Sequence, residues 1–427
     1  MFKKYKNQDL DVSFWWKKNP KTPSDYVKLI NEQLNKIEPT PLPNGTNLTS
    51  SSSDNKRKAQ EEVAKYLVGM KHYILGDVDP KPTSEAIDEF YSAMLSSDIF
   101  HNLLVHIADL DFESRKEVLL ILSICLNYSK DNKFVTVDYL VSQSKTLSLM
   151  LRTMGLTLQR RDTYDIFIIV GNMIIECIKY EQLCHIFLTD TQLWSLFEFA
   201  GIANFEISTQ SMQILNSVLT THPKLVAREF FSQEKNINLF IRHINKLMAH
   251  GSYVTKRQSS KLLASLIIIR AHNVLMMTYI NAPENLKLIM TLLTDKSRNL
   301  QLEAFNIFKV MVANPKKSKL VFDILVKNRD KLLAYLELFG KEVQDSTFLD
   351  EKEFIMREIE SLPRIKPNTN EHNINMSNSP PKGLLHSDQK KTASSQQFNE
   401  NNNELSSNNS SGNNSSGNVT KSLASIG

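Results

Sequence analysis

At 427 residues, with 51 Lys and Arg against 46 Asp and Glu, the chain carries a formal charge of only +5. That falls well short of the basic density of surfaces that grip phosphate backbones, so nucleic acid is not an expected partner. Hydrophobic content of 41% suffices for a large core, while only 12 Gly and 14 Pro leave too few turns for an all-β fold and favour helices.

In chain order, residues 1–23 form a basic-aromatic extension containing Phe14-Trp15-Trp16-Lys17-Lys18, with no apolar stretch of the kind that opens a secretory signal. Pro20 and Pro23 precede Ser24, the expected cap of a helix running through Leu29 and Leu34. Residues 39–55, rich in Pro, Ser and Thr, are expected to be a low-complexity linker inside a helical domain that spans 24–365. Within that domain apolar residues recur at three- and four-residue spacing, as at Leu262, Leu263, Leu266, Ile267 and Ile269, which predicts amphipathic helices. The most apolar stretch, Asp165 to Ile178, is too short to span a bilayer and holds Asn172 and Glu176, so no membrane insertion is expected.

The helical stretch repeats. Asp111-Phe112-Glu113 returns as Asn204-Phe205-Glu206 after 93 residues, and His222-Pro223-Lys224 as Asn314-Pro315-Lys316 after 92. Halving these offsets gives a unit of about 46 residues, the length of armadillo or HEAT repeats. Leu193, Leu239, Leu286 and Leu332, spaced 46, 47 and 46 apart, are expected to open equivalent short helices. An all-α armadillo/HEAT-like solenoid with a long concave surface follows, with an irregular helical bundle as the alternative. After it, residues 366–427 change character: 27 of the 60 residues from Asn368 to Gly427 are Asn or Ser. Such a tail buries too little apolar surface to offset its ordering entropy and is expected to be disordered. Ser379-Pro380 within it is a candidate site for proline-directed phosphorylation.

Motifs for catalysis and cofactors are missing: no phosphate-binding loop, no dinucleotide fingerprint, no H-E-x-x-H and no paired C-x-x-C. Neither an enzyme nor a cofactor is expected. Asp77 and Asp79 hint at a calcium loop, yet Pro82 stands where an EF-hand needs glycine. The cysteines, Cys125, Cys177 and Cys184, are few, odd in number and set among apolar residues, as expected of reduced thiols in a cytoplasmic protein. Cys177 and Cys184, seven apart, suit one face of a helix, and Cys184-His185 is a weak alternative as a catalytic pair. Tyr253, Arg257 and Lys261 stand four apart and form one helical stripe, while Leu262, Leu266 and Ile269 point elsewhere. One repeat earlier, Phe205 occupies the position of Tyr253. Aromatic and arginine side chains dominate protein-binding hot spots; a merely solvated helix face is the alternative.

The strings Tyr253-Val254-Thr255-Lys256-Arg257-Gln258-Ser259, Pro283-Glu284-Asn285-Leu286-Lys287-Leu288 and Val312-Ala313-Asn314-Pro315 resemble the mouse protein 25-like (calcium-binding protein 39-like) scaffold family. The resemblance runs from about Pro20 to Pro363, and the opening Trp15-Trp16 segment and the tail look most like its fungal, Hym-type branch. It implies an armadillo-like, non-catalytic protein that binds a sterile-twenty (germinal-centre) class kinase or pseudokinase and holds it in an active-like state. By resemblance the concave contacts fall on Phe205, Tyr253, Arg257 and Lys261, and a pocket for a partner's Trp-Glu-Phe-like peptide on Arg270, Lys287, Met290 and Lys327. Asn273 replaces an aromatic of the animal proteins near that pocket, which bears on its peptide preference. The fungal branch further implies a nuclear-Dbf-related kinase network for polarised morphogenesis and cell separation, with enrichment at growth sites or the bud neck. The competing function is a nuclear-import-type cargo adaptor, against which the basic stripe argues, since such grooves are acidic.

Overall fold

A computed structural model of the chain describes residues 20, 22–37, 50–159 and 163–364. All lie in the first of the two units into which the chain divides, Met1–Lys366, the second beginning at Pro367. The aromatic N-terminal extension, the Asn/Ser tail and Ser379-Pro380 fall outside the described residues.

The helices are α1 (Pro23–Leu34), α2 (Ser50–Leu75), α3 (Ser84–Ser96), α4 (Ile99–Val105), α5 (Phe112–Asn127) and α6 (Val135–Ser142). Next come α7 (Ser144–Thr157), α8 (Tyr164–Ile178), α9 (Glu181–Thr189), α10 (Ser195–Ala200), α11 (Phe205–Thr220) and α12 (Glu234–His250). The last are α13 (Tyr253–Ile267), α14 (Asn273–Ile280), α15 (Pro283–Leu293), α16 (Arg298–Ala313), α17 (Lys319–Leu338) and α18 (Ser346–Glu360). Among the described residues there is no strand beyond a single bridge between Lys130 and Lys133.

One helix of each unit packs on its counterpart in the next, so that α2, α5, α8, α11, α13, α16 and α18 form a ladder. From α5 onward their first residues are 52, 41, 48, 45 and 48 apart, which is the 46-residue period with local insertions and deletions. The rungs run parallel because cross-links join like ends. Arg115 pairs with Asp165 near the N-termini of α5 and α8, and Ser123 donates to Glu176 at 2.8 Å near their C-termini. Arg257, fifth in α13, lies 3.6 Å from Glu303, sixth in α16, while Lys309, past the middle of α16, reaches Glu351, in the first half of α18, at 2.6 Å. This is an all-α helical-repeat solenoid.

The repeated sequence strings owe their recurrence to helix starts. Asp111 and Asn204 are N-caps whose side chains accept from the Ser114 and Ile207 amides at 2.8 and 3.0 Å, and Phe112 and Phe205 follow at the first helical position. Ser252, Ser297 and Asp345 cap α13, α16 and α18 in the same way. Each cap satisfies an amide that the helix leaves without a partner. Rungs in the middle of the ladder are buried on several sides, and α8 reads accordingly: Ile166, Phe167, Val170, Met173, Ile174 and Cys177 are all inaccessible.

Four local expectations change. The first helix is capped at Thr22, whose amide donates to Asp25 at 2.8 Å, because Pro23 fits the first turn, where its missing N–H costs nothing; Ser24 is already helical. The linker expected over 39–55 is helical from Ser50, where α2 begins. Cys177 and Cys184 sit in different helices, α8 and α9, separated by the turn at Lys179 and Tyr180. Leu332 lies deep inside α17 and Leu239 more than a turn inside α12, so neither opens a helix, and Leu193 lies within the short 3-10 helix Thr191–Trp194.

Candidate partner-binding surface

On α5 and α13 the residues at the first, fifth and ninth positions face away from the core. In α13 these are Tyr253, Arg257 and Lys261, all exposed, while Leu262, Leu263, Leu266 and Ile267 are buried. Ile269, past the end of the helix, is half-buried. Phe205 stands at the first position of α11, the adjoining rung, and is 64% exposed; Tyr253 is 47% exposed.

The stripe is held in place. Asn299 reaches the Tyr253 hydroxyl at 3.5 Å, and hydrogen bonds from Ser297 and Asn299 hold the phenol below its ordinary pKa. Glu303, far less accessible than Arg257, fixes the guanidinium from the next rung. Lys261 lines a groove of about 340 Å³ with Thr209, Gln213, Asn216 and Gln258. Gln213 also lines a second groove, of about 610 Å³, with Lys116, Leu120, Asn172 and Glu176. The two grooves thus adjoin at Gln213 on α11.

Arg270, Lys287 and Lys327 are exposed and Met290 is half-buried, on the turn before α14, on α15 and on α17. α15 packs against both α14 and α17, so these elements adjoin. Asn273, the first residue of α14, is exposed beside them in sequence. An apolar cleft lies elsewhere. About 500 Å³ in volume, it is walled by Met276, Met277, Val310, Phe354 and Ile355, with the Lys309–Glu351 pair at its lip. Sequence reading missed it because its walls come from three helices distant in the chain.

Cys184 and His185 do not form a pair. The Cys184 thiol is buried, pushed up to about 12 by desolvation and aimed at the Val218 carbonyl 3.7 Å away, whereas His185 points outward to Glu229 at 3.9 Å. Burial also raises the Cys125 and Cys177 thiols. Asp77 and Asp79 lie in the loop after α2, and among the described residues no three His, Cys, Asp or Glu side chains gather as metal ligands. No helix among the described residues is long and apolar enough to cross a membrane.

A ladder of parallel helices that presents exposed aromatic and cationic side chains beside surface grooves is the architecture of a helical-repeat scaffold. The Mo25-like family model matches residues 14–363, and the chain belongs to that family. It is similar to Protein HYM1 of Saccharomyces cerevisiae, 68% identical over 379 residues, covering 89% of this chain and 93% of that protein. Calcium-binding protein 39-like of Mus musculus is 35% identical over 352 residues, covering 82% and 98%. The conidiophore development protein hymA of Emericella nidulans is 30% identical over 372 residues, covering 80% and 91%.

Proposed function

We propose that the chain is a non-catalytic scaffold that binds a sterile-twenty-class protein kinase or pseudokinase and stabilises its active-like conformation. It serves a nuclear-Dbf-related kinase network for polarised morphogenesis and cell separation, in the cytoplasm and concentrated at growth sites. The observation that carries this reading is the exposed row Phe205, Tyr253, Arg257 and Lys261 on two adjoining rungs. Membership of the Mo25-like family and the developmental name of the hymA relative support it. A binding partner shifts a conformational equilibrium only by its differential affinity for the two states, so a rigid ladder that fits one kinase conformation better raises its population.

A second contact through Arg270, Lys287, Met290 and Lys327 takes an acidic-aromatic peptide of the same partner, cations meeting its carboxylate and methionine its rings. Arg257 and Met290 are each expected to be worth about 2 kcal/mol, and together about 4 kcal/mol, roughly a thousandfold in affinity. The test is affinity purification of the kinase bound to the wild-type chain, followed by titration of that kinase with Arg257→Ala/Met290→Ala protein. The variant should keep its helical circular dichroism and fail to bind or activate the kinase. Activation at wild-type concentrations would sink the assignment.

A further inference from the structure

We infer that the segment Phe14-Trp15-Trp16-Lys17-Lys18 docks back on its own chain, in the groove between α5, α8 and α11, and shields that end of the binding surface until a partner displaces it. The docking is independent of the scaffold reading; only its effect on partner binding rests on that reading.

The groove is the chemical complement of the segment. Leu119, Leu120 and Ile175 line it with apolar surface, Leu120 being 43% exposed. Three carboxylates, Glu113, Glu117 and Glu176, stand around them against one lining ammonium, Lys116. Lys71, Lys116 and Lys179 each bond one of the three, but the Lys116 and Lys179 pairs are open to solvent, where ion pairs hold weakly. The second oxygen of Glu117 is buried without a hydrogen-bond partner among the described residues. Apolar surface edged by carboxylates selects aromatic rings with ammonium groups beside them. The segment joins three aromatic residues to two lysines and holds no acidic residue.

Chain length puts the segment within reach. The start of α1 lies beside the last turns of α2: a Cβ at Gly69 would stand 2.5 Å from the Tyr26 ring, which is 6.2 Å from that of Tyr73. Between Gly69 and Tyr73, Lys71 bonds Glu117 of the groove at 2.7 Å. Val68 and Leu75, three residues before and four after Lys71 and so on its face of α2, are 40% and 51% exposed and offer apolar footing on the way. α1 packs on α2 and α2 on α5, so two steps of about 8–10 Å separate α1 from the groove wall. Phe14 precedes Pro20 by six residues, an extended reach of about 20 Å, which closes that distance. The apolar cleft between Met277 and Phe354 lies at the other end of the ladder, beyond this reach, and Lys309 holds the carboxylate at its lip.

The experiment places nitroxide labels on the full-length chain at Ser13→Cys and Asn216→Cys; the native Cys125, Cys177 and Cys184 are buried and stay unlabelled. Spin–spin measurement should give a single narrow distance of about 20–30 Å, two packing steps plus the label arms. It should broaden in Trp15→Ala/Trp16→Ala and in Leu120→Asp, and persist in Val141→Asp, an exposed site on α6, off the ladder. A broad distribution in the parent chain, or a narrow one that survives Leu120→Asp, overturns the inference. A distance that disappears on dilution with unlabelled protein would put the segment on a second copy and overturn the intramolecular assignment. A segment docked about nine-tenths of the time lowers apparent affinity about tenfold, so Trp15→Ala/Trp16→Ala should tighten binding of the kinase recovered with the wild-type chain by up to about tenfold. Unchanged affinity would strike the shielding role. Recovery of no kinase at all would count against the scaffold reading, and the distance would still decide the docking.

Discussion

Gly171 shows how closely the rungs approach at the level of one atom. A Cβ at this position would stand 2.6 Å from Nε2 and 2.9 Å from Cγ of Gln210 on α11. Gln210 has little room to retreat: it is buried and donates to Asn172 at 3.1 Å. Gly171→Ala is therefore expected to cost about 1–3 kcal/mol by overpacking, read from the urea midpoint, despite alanine's better helix propensity.

His272 is a second residue with a measurable consequence. Its Nδ1 lies 3.2 Å from the Leu266 carbonyl and its Nε2 3.1 Å from that of Pro223, in a buried site where the Phe231 ring meets it edge-on. Burial outweighs the pull of both carbonyls and holds its pKa below the ordinary 6.5, and burial does the same for His101 and His243. A depressed folded-state pKa means the unfolded chain takes up protons first as pH falls. The stability these residues contribute is thus complete above the ordinary imidazole value and lost below it. Melting temperature should drop between about pH 7.5 and about pH 5.5, with a shallower slope in His272→Phe, even if that variant is less stable throughout. An equal slope would assign the loss to other groups.

At the scale of elements, asparagines stitch one repeat to the next. Asn245 on α12 donates to Asn285 on α15 at 2.8 Å, Asn285 donates to the Tyr279 carbonyl at 2.9 Å, and the Tyr279 hydroxyl returns to Asn245 at 3.1 Å. Asn285 is fully buried, so Asn285→Leu removes one hydrogen bond to the Tyr279 carbonyl, takes away the Asn245 amide's acceptor and should cost about 2–3 kcal/mol by chemical denaturation. Between Tyr279 and Asn285 in the chain, Asn281 accepts from Asn314 and Ser318, which ties the string Asn314-Pro315-Lys316 to the same junction. Gly340 ends α17 in the left-handed region at φ +67°, beneath the Phe348 ring, where any side chain would be both strained and crowded.

At the scale of the molecule, each rung meets chiefly its two neighbours, so stability is close to a sum of unit and interface terms. Phe308 on α16 is fully buried, and Phe308→Ala should cost about 3–5 kcal/mol. Because the loss is local, hydrogen exchange should accelerate in α15–α18 and change little in α5–α8; uniform acceleration would mean that the ladder unfolds as one block.

How legible this was depended on the range of the interactions. The helices and their 46-residue period stood in the chain because caps and apolar spacing act within a few residues, as at Asp111-Phe112 and Asn204-Phe205. The stripe Tyr253, Arg257 and Lys261 was legible for the same reason, since one turn of helix sets its face. Thr22 was missed because proline's tolerance at the first turn competes with serine's capping preference, and Cys177 and Cys184 because two turn residues break a seven-residue spacing. The grooves that meet at Gln213, the Glu303 brace on Arg257 and the cleft between Met277 and Phe354 were decided only by the stacking of repeats. Their members lie about 40 or more residues apart, and no local propensity determines how one unit's helix seats on the next; burial of shared apolar faces does.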